Sequence, residues 1–138
     1  MYQHGWYTTL KKTAKWQEVR KIAPIWAINF DVAKIHKVID EKNTLISNDK
    51  RKIVDDTYMI CKDIDGNMWA ESKRNFRMRY ERTNETDGYW RKFTPTADAV
   101  NLAKVTRSGD IVQMKSLDKK NKWNLTIEEF RGNYVPSH

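Results

Sequence analysis

The feature that most constrains this chain is an internal repeat. Displaced by 54 residues, the sequence lays Asp56 on Asp110, Asn67 on Asn121, Trp69 on Trp123, Phe76 on Phe130, Arg77 on Arg131 and Tyr80 on Tyr134. Ser72 falls on Thr126, and Tyr58-Met59-Ile60 on Val112-Gln113-Met114. The shared pattern is Asp, a strand-like stretch, Asn-x-Trp, six residues and Phe-Arg-x-x-Tyr. Rare aromatics coinciding at one displacement mark a duplication, which must be read before any single element. Upstream the echo continues at larger displacements. Ala27-Ile28-Asn29-Phe30 matches Ala99-Val100-Asn101-Leu102, and Gly5-Trp6-Tyr7 matches Gly88-Tyr89-Trp90. The changing displacement puts an insertion in the first copy, over residues 31–55. Copy one therefore covers residues 1–86, copy two covers 87–138, and the polar Asn84-Glu85-Thr86-Asp87 joins them.

Copy two is the compact version. Strands are expected over Thr96–Val105, Ile111–Leu117 and Lys122–Leu125, with Asp118-Lys119-Lys120-Asn121 as a polar hairpin connection. Thr126 with Glu129 three residues on predicts a capping box and a short helix. Phe130 and Tyr134 are four apart and share one face of it. Copy one repeats the plan over Ile25–Phe30, Thr57–Lys62 and Met68–Glu71. Asp65-Gly66 there predicts a type I′ turn, which needs positive φ at both residues. Within the insertion, Val32, Ile35, Val38 and Ile39 are spaced for one amphipathic helix, and Ser47–Lys52 reads as a polar, basic loop. The expected fold is α+β: two tandem three-stranded antiparallel meanders with short helices, packed as one pseudo-symmetric sheet pair or a small barrel. A single copy of this kind is marginal alone, so the second would cover what the first leaves exposed.

Composition removes several classes. Six Trp, six Tyr and four Phe are far more than a disordered chain carries. One cysteine, Cys61, cannot form a disulfide scaffold. No apolar run approaches the roughly 18 residues that span a bilayer, and the N-terminus lacks a signal-peptide core. A cytoplasmic protein without a membrane partner is the expectation. The charge balance is 26 Lys and Arg against 18 Asp and Glu, a net of +8. Such a surplus favours nucleic acid, nucleotides or acidic proteins as partners.

The charge concentrates in Lys73-Arg74-Asn75-Phe76-Arg77-Met78-Arg79-Tyr80-Glu81-Arg82, where five bases meet one acid among aromatics. Guanidinium groups beside aromatic rings suit phosphates and stacked bases. Copy two retains Phe130, Arg131 and Tyr134, which makes the Phe, Arg and Tyr of both copies structural. It lacks the other bases. Lys73, Arg74, Arg77, Arg79 and Arg82 are the candidate binding residues, joined by Lys50, Arg51 and Lys52 of the insertion. No cofactor motif and no metal-ligand spacing occurs: the His residues are scattered, and Asp63-Ile64-Asp65-Gly66-Asn67 has Met68 where a calcium loop needs Gly. Cys61 reads as core and His36 as surface. No catalytic signature is present, so a binding protein is favoured over an enzyme. Two other readings stand beside it. One is a protein–protein inhibitor or assembly factor using exposed Trp6, Trp16 or Trp90. The other is a small enzyme with a site between the copies, built on Asp56, Asp110 or a His.

Ser108-Gly109-Asp110-Ile111-Val112, the following hairpin, Glu128-Glu129-Phe130 and Tyr134-Val135-Pro136 resemble a family of small phage and prophage proteins known for a Pro-Gly-Asp-Tyr-Gly motif. Arg91-Lys92-Phe93-Thr94-Pro95 with Ala99-Val100 is similar to that family's opening strand. Ser108 stands for the motif's Pro and Ile111 for its Tyr, and copy one has Asp56-Thr57 at the Gly-Asp position. The resemblance implies a phage-encoded accessory protein that binds host factors or defence components, in the host cytoplasm. It brings no activity and no site residues.

Overall fold

The structure is a computed structural model and describes residues 15–47, 50–106 and 109–137. Trp6, the Gly5-Trp6-Tyr7 echo, His4, His138 and Ser108 of the phage-like stretch lie outside the described residues. The chain forms two compact units. Unit 1 joins residues 1–22 to 97–138, and unit 2 is the continuous stretch 23–96.

Unit 1 holds a five-stranded antiparallel sheet, sheet A. Its strands are β1 (Gln17–Lys21), β9 (Val100–Val105), β10 (Ile111–Ser116), β11 (Lys122–Thr126) and β12 (Tyr134–Pro136), in the order β11-β10-β9-β1-β12. Unit 2 holds sheet B: β2 (Ile25–Asn29), β5 (Tyr58–Lys62), β6 (Met68–Ser72), β7 (Tyr80–Asp87) and β8 (Trp90–Pro95), in the order β6-β5-β2-β8-β7. A separate hairpin pairs β3 (Thr44–Ser47) with β4 (Lys50–Ile53). The architecture is thus two five-stranded sheets in place of the expected three-stranded meanders. Neither sheet closes on itself, so the small barrel is excluded.

Both sheets follow one path. A meander, β9-β10-β11 or β2-β5-β6, leads through a short helix to a returning strand, β12 or β7. Between meander and returning strand sits a fifth strand, and its origin is the unexpected part. β1 runs in sequence into β2 yet pairs with β9 and β12. β8 runs in sequence into β9 yet pairs with β2 and β7. Each lead-in strand belongs to the sheet whose meander it does not precede. The hydrogen bonds at the end of β1 hold this pairing. Lys21 N–H donates to Ala99 O at 2.9 Å and Ile22 N–H to Asn133 O at 2.8 Å.

The helices after β6 and β11 are α2 (Lys73–Arg79) and α3 (Ile127–Asn133). Ser72 Oγ accepts from Asn75 N–H at 3.3 Å. Thr126 Oγ1 accepts from Glu129 N–H at 3.2 Å, while Glu129 Oε1 accepts from Thr126 N–H at 3.0 Å. That is the capping box expected from the sequence. Each helix buries its Phe and hands over to a strand at its Tyr. The rings of Phe130 and Tyr134 lie 5.6 Å apart, and those of Phe76 and Tyr80 5.2 Å apart. Phe130 anchors the core of unit 1 with Val19, Ala103, Val105, Val112, Met114 and Leu125. Replacing Thr126 with Ala removes the bond from Glu129 N–H to Oγ1 and keeps the reciprocal bond from the backbone N–H of residue 126 to Glu129 Oε1. Urea denaturation should show unit 1 less stable by about 1 kcal/mol.

Local expectations differ from the structure in four places. The insertion helix, α1 (Phe30–Ile35), stops early, because Lys37 takes a positive φ of 57°. Lys37 N–H then donates to Lys34 O and Val38 N–H to Ala33 O, which closes the helix end as a Schellman turn. Ile35 is consequently exposed, and Ala33 takes the buried place. Ser47 and residues 50–52 belong to the strands of the β3–β4 hairpin and not to a loop: Leu45 buries against the unit 2 core and Lys52 lies over the Tyr58 ring. Asp65-Gly66 is a hairpin turn, but Gly66 alone has positive φ, 86°. Its N–H donates to Asp63 O, so the turn spans Asp63–Gly66. Finally, Asn84–Asp87 is strand, not linker, and Thr96–Ala99 separates β8 from β9. The Asp87-Gly88 pair, with Gly88 at φ 61°, turns β7 into β8.

Candidate anion-binding cleft

Sheet B is apolar on both faces. Ile28, Ile60 and Trp90 lie in one core with Ala33, Leu45 and Val54. Ile25, Ala27 and Cys61 lie in the other, with Phe76 and Tyr80. Helix α2 is too short to cover the whole of that second face. What it leaves open is a cleft of about 460 Å³, floored by Ala27, Met59, Phe76 and Phe93. That volume lies within the range of about 300–1,000 Å³ typical of small-ligand sites.

The walls carry the charge. Lys73 and Arg77 are one helical turn apart and project together from α2. Arg82 comes from β7, opposite Phe93, and Arg91 from β8, opposite Ala27. All four line the cleft, with Tyr89 and Asn29 at its edge and no carboxylate in the lining. Among the described residues, Lys73, Arg77 and Arg82 form no ion pair. The Arg91 guanidinium donates to Thr83 O at 3.2 Å. Neighbouring acids are engaged elsewhere: Glu71 pairs with Arg79 at 3.5 Å and Glu85 with Lys92 at 2.6 Å. The Tyr89 ring stacks on His36 at 3.8 Å, the two planes nearly parallel.

The candidate residues therefore separate. Lys73, Arg77 and Arg82 converge. Arg74 is exposed and lies outside the lining. Arg79 is half-buried against Glu71 and the Tyr80 ring. Arg51 and Lys52 sit on β4, away from the cleft lining, and the side chain of Lys50 lies outside the described residues. Arg77 is exposed, unlike the Phe76 and Tyr80 with which the repeat groups it, so it is not a core residue. Arg91 and Tyr89 were not legible as site residues. The Asp87-Gly88 hairpin signal could have found them, since it folds β8 back beside β7.

The alternative sites have a plainer geometry. Trp90 is buried, with Lys62 over its ring, and offers no exposed aromatic. Trp16 is half-buried under Lys115. Asp56 and Asp110 are exposed residues ahead of β5 and β10, in different units. The neighbouring Asp55, whose carboxylate accepts from the Thr57 hydroxyl and N–H, is held below the usual carboxylate range by those bonds. Cys61 is buried in the core and His36 is exposed. Among the described residues no three His, Cys, Asp or Glu cluster as metal ligands would, and no helix is long and apolar enough to cross a membrane.

No protein-family model, curated protein or solved structure matches this chain.

Proposed function

We propose that this chain is a phage-type accessory binding protein, acting in the host cytoplasm, whose unit 2 cleft holds a phosphate-bearing group of nucleotide size. The observation that carries this is the convergence of Lys73, Arg77 and Arg82, without acid partners, on one apolar-floored concavity. Guanidinium forks match phosphate oxygens in pairs, and an apolar floor with a nearby aromatic ring suits a base. An acidic host protein fits less well. A protein interface spreads over about 800 Å² per partner and does not need a concavity of this size.

We read the two sheets as copies of one duplicated unit, related by exchanged lead-in strands. On that reading the cleft is a specialisation of the first copy. Ile127, Glu128, Asn133 and Pro136 stand in copy two where Lys73, Arg74, Arg79 and Arg82 stand in copy one. The phage assignment rests on the resemblance of residues 108–136.

Calorimetric titration of the full chain with ATP, and with adenosine as the uncharged control, tests the reading. ATP is expected to bind and adenosine to bind far more weakly. Charge-assisted hydrogen bonds are worth about 1.5–3 kcal/mol, so R77E and R82E should each weaken ATP at least about tenfold. R74E, outside the lining, should leave it nearly unchanged. Equal losses from R74E and R77E would instead mean a diffuse surface effect and end the cleft assignment.

A further inference from the structure

Unit 1 carries a second concentration of charge that the repeat does not account for. Cross-strand register defines it. Lys115 on β10 stands directly opposite Lys122 on β11, and Lys104 on β9 stands opposite Gln113. Asn124 is opposite Gln113 on the other side. Because paired residues share a face, these side chains lie on the side of sheet A away from Met114, Val112 and Phe130. Lys122, Gln113 and Asn124 are exposed, and Lys104 and Lys115 half-buried. The Lys115 ammonium sits over the Trp16 indole, 4.0 Å from its centroid.

Like charges directly opposite on a sheet destabilise it. Glu18 lies on the same face, opposite Leu102, and the Asp118 carboxylate in the β10–β11 turn accepts from the Ser116 hydroxyl and Lys120 N–H. Partial burial and the charges of Lys119, Lys122 and Lys104 together hold the Lys115 ammonium below the usual lysine range. Sheet A thus sets like charges side by side on the face turned away from its core.

We propose that this face of sheet A is a docking surface for single-stranded nucleic acid. Charge complementarity sets the class: lysines from three adjacent strands meet a line of phosphates, as in the basic grooves that track a single strand. The Gln113 and Asn124 amides supply neutral donors and acceptors that match the edges of bases. The half-buried Trp16 ring lies beneath Lys115 at the same place.

The probe is a fluorescein-labelled 20-mer of deoxythymidine, titrated by anisotropy against the full chain from 50 to 200 mM salt. Binding is expected to weaken steeply with salt. K104Q/K115Q/K122Q should lower the log–log salt slope by about two and the affinity by about a hundredfold at 0.1 M salt, given a slope of about 0.7 per phosphate. K115Q alone should weaken the 20-mer while far-UV circular dichroism shows the fold kept, which separates binding from folding. K104Q/K115Q/K122Q should leave ATP binding at the cleft nearly unchanged, and R77E/R82E should keep the part of the 20-mer slope that the triple variant loses, so this proposal and the cleft stand or fall separately. Undiminished binding by the triple variant would overturn the surface. So would loss through the cleft variant alone, or equal competition by polyglutamate, which would make the partner an acidic protein.

Discussion

Residues 23–96 alone are expected to fold, whereas the repeat halves 1–86 and 87–138 are expected to be unfolded apart and to regain structure when mixed. Unit 2 is continuous and contains all five strands of sheet B with helices α1 and α2 and the β3–β4 hairpin. Cutting between the repeats divides both sheets. The first half loses β8, which lies between β2 and β7, and the second loses β1, which lies between β9 and β12. Each half is left with a three-stranded meander and an unpaired returning strand, which is marginal in water. Each also loses core: Trp90 and Phe93 from sheet B, Val19 from sheet A. The missing strand is carried by the other half, so mixing should restore both sheets at once. Circular dichroism and amide exchange would show cooperative structure in 23–96, none in the separate halves and recovery on mixing. Independent folding of 87–138 would contradict the exchanged pairing of β1.

The sequence made visible what neighbouring residues decide. The Thr126–Glu129 capping box, the Phe130–Tyr134 and Phe76–Tyr80 pairs and the burial of Cys61 rest on spacings of a few residues. Helix α1 was only half legible. Its apolar spacing continues to Ile39, but the chain turns at Lys37, where no Gly marks the left-handed residue. The β4 strand, Lys-Arg-Lys-Ile, lacks the alternation that identifies strands, so it read as loop. The repeat itself misaligns two strands: Ala103, and not Ala99, stands in β9 where Ala27 stands in β2. In the sheets Met114 occupies the place of Cys61, each opposite an Ala and a Trp, one residue off the displacement that matches the helices. Strand exchange was invisible for a deeper reason: nothing within β1 distinguishes pairing with β2 from pairing with β9. The cleft shows the same division. Copy-specific charge exposed Lys73 and Arg82, but Arg91 needed β8 to lie beside β2.

Connectivity also makes the two units unequal in how they fail. Phe130→Ala and Phe76→Ala each open a core of comparable kind, and deletion of a buried Phe costs about 3–5 kcal/mol. Phe130 is fully buried in unit 1, and Phe76 nearly so in unit 2. If unit 1 unfolds, residues 23–96 remain one uninterrupted stretch whose ends are already side by side, with Ile25 opposite Phe93. Unit 2 should persist. If unit 2 unfolds, unit 1 must hold β1 against β9 across a disordered loop of residues 23–96. Closing such a loop costs about 4 kcal/mol by the logarithmic dependence on length, a large fraction of the 5–15 kcal/mol that holds a typical domain. Phe76→Ala is therefore expected to lower protection in both units, and Phe130→Ala in unit 1 only. Residue-resolved hydrogen exchange distinguishes the two patterns: amides of β2 and β5 should stay protected in Phe130→Ala, while those of β9 and β10 should lose protection in both variants. Retained protection of β9 and β10 in Phe76→Ala, with β2 and β5 exchanging freely, would mean that unit 1 does not depend on its insert.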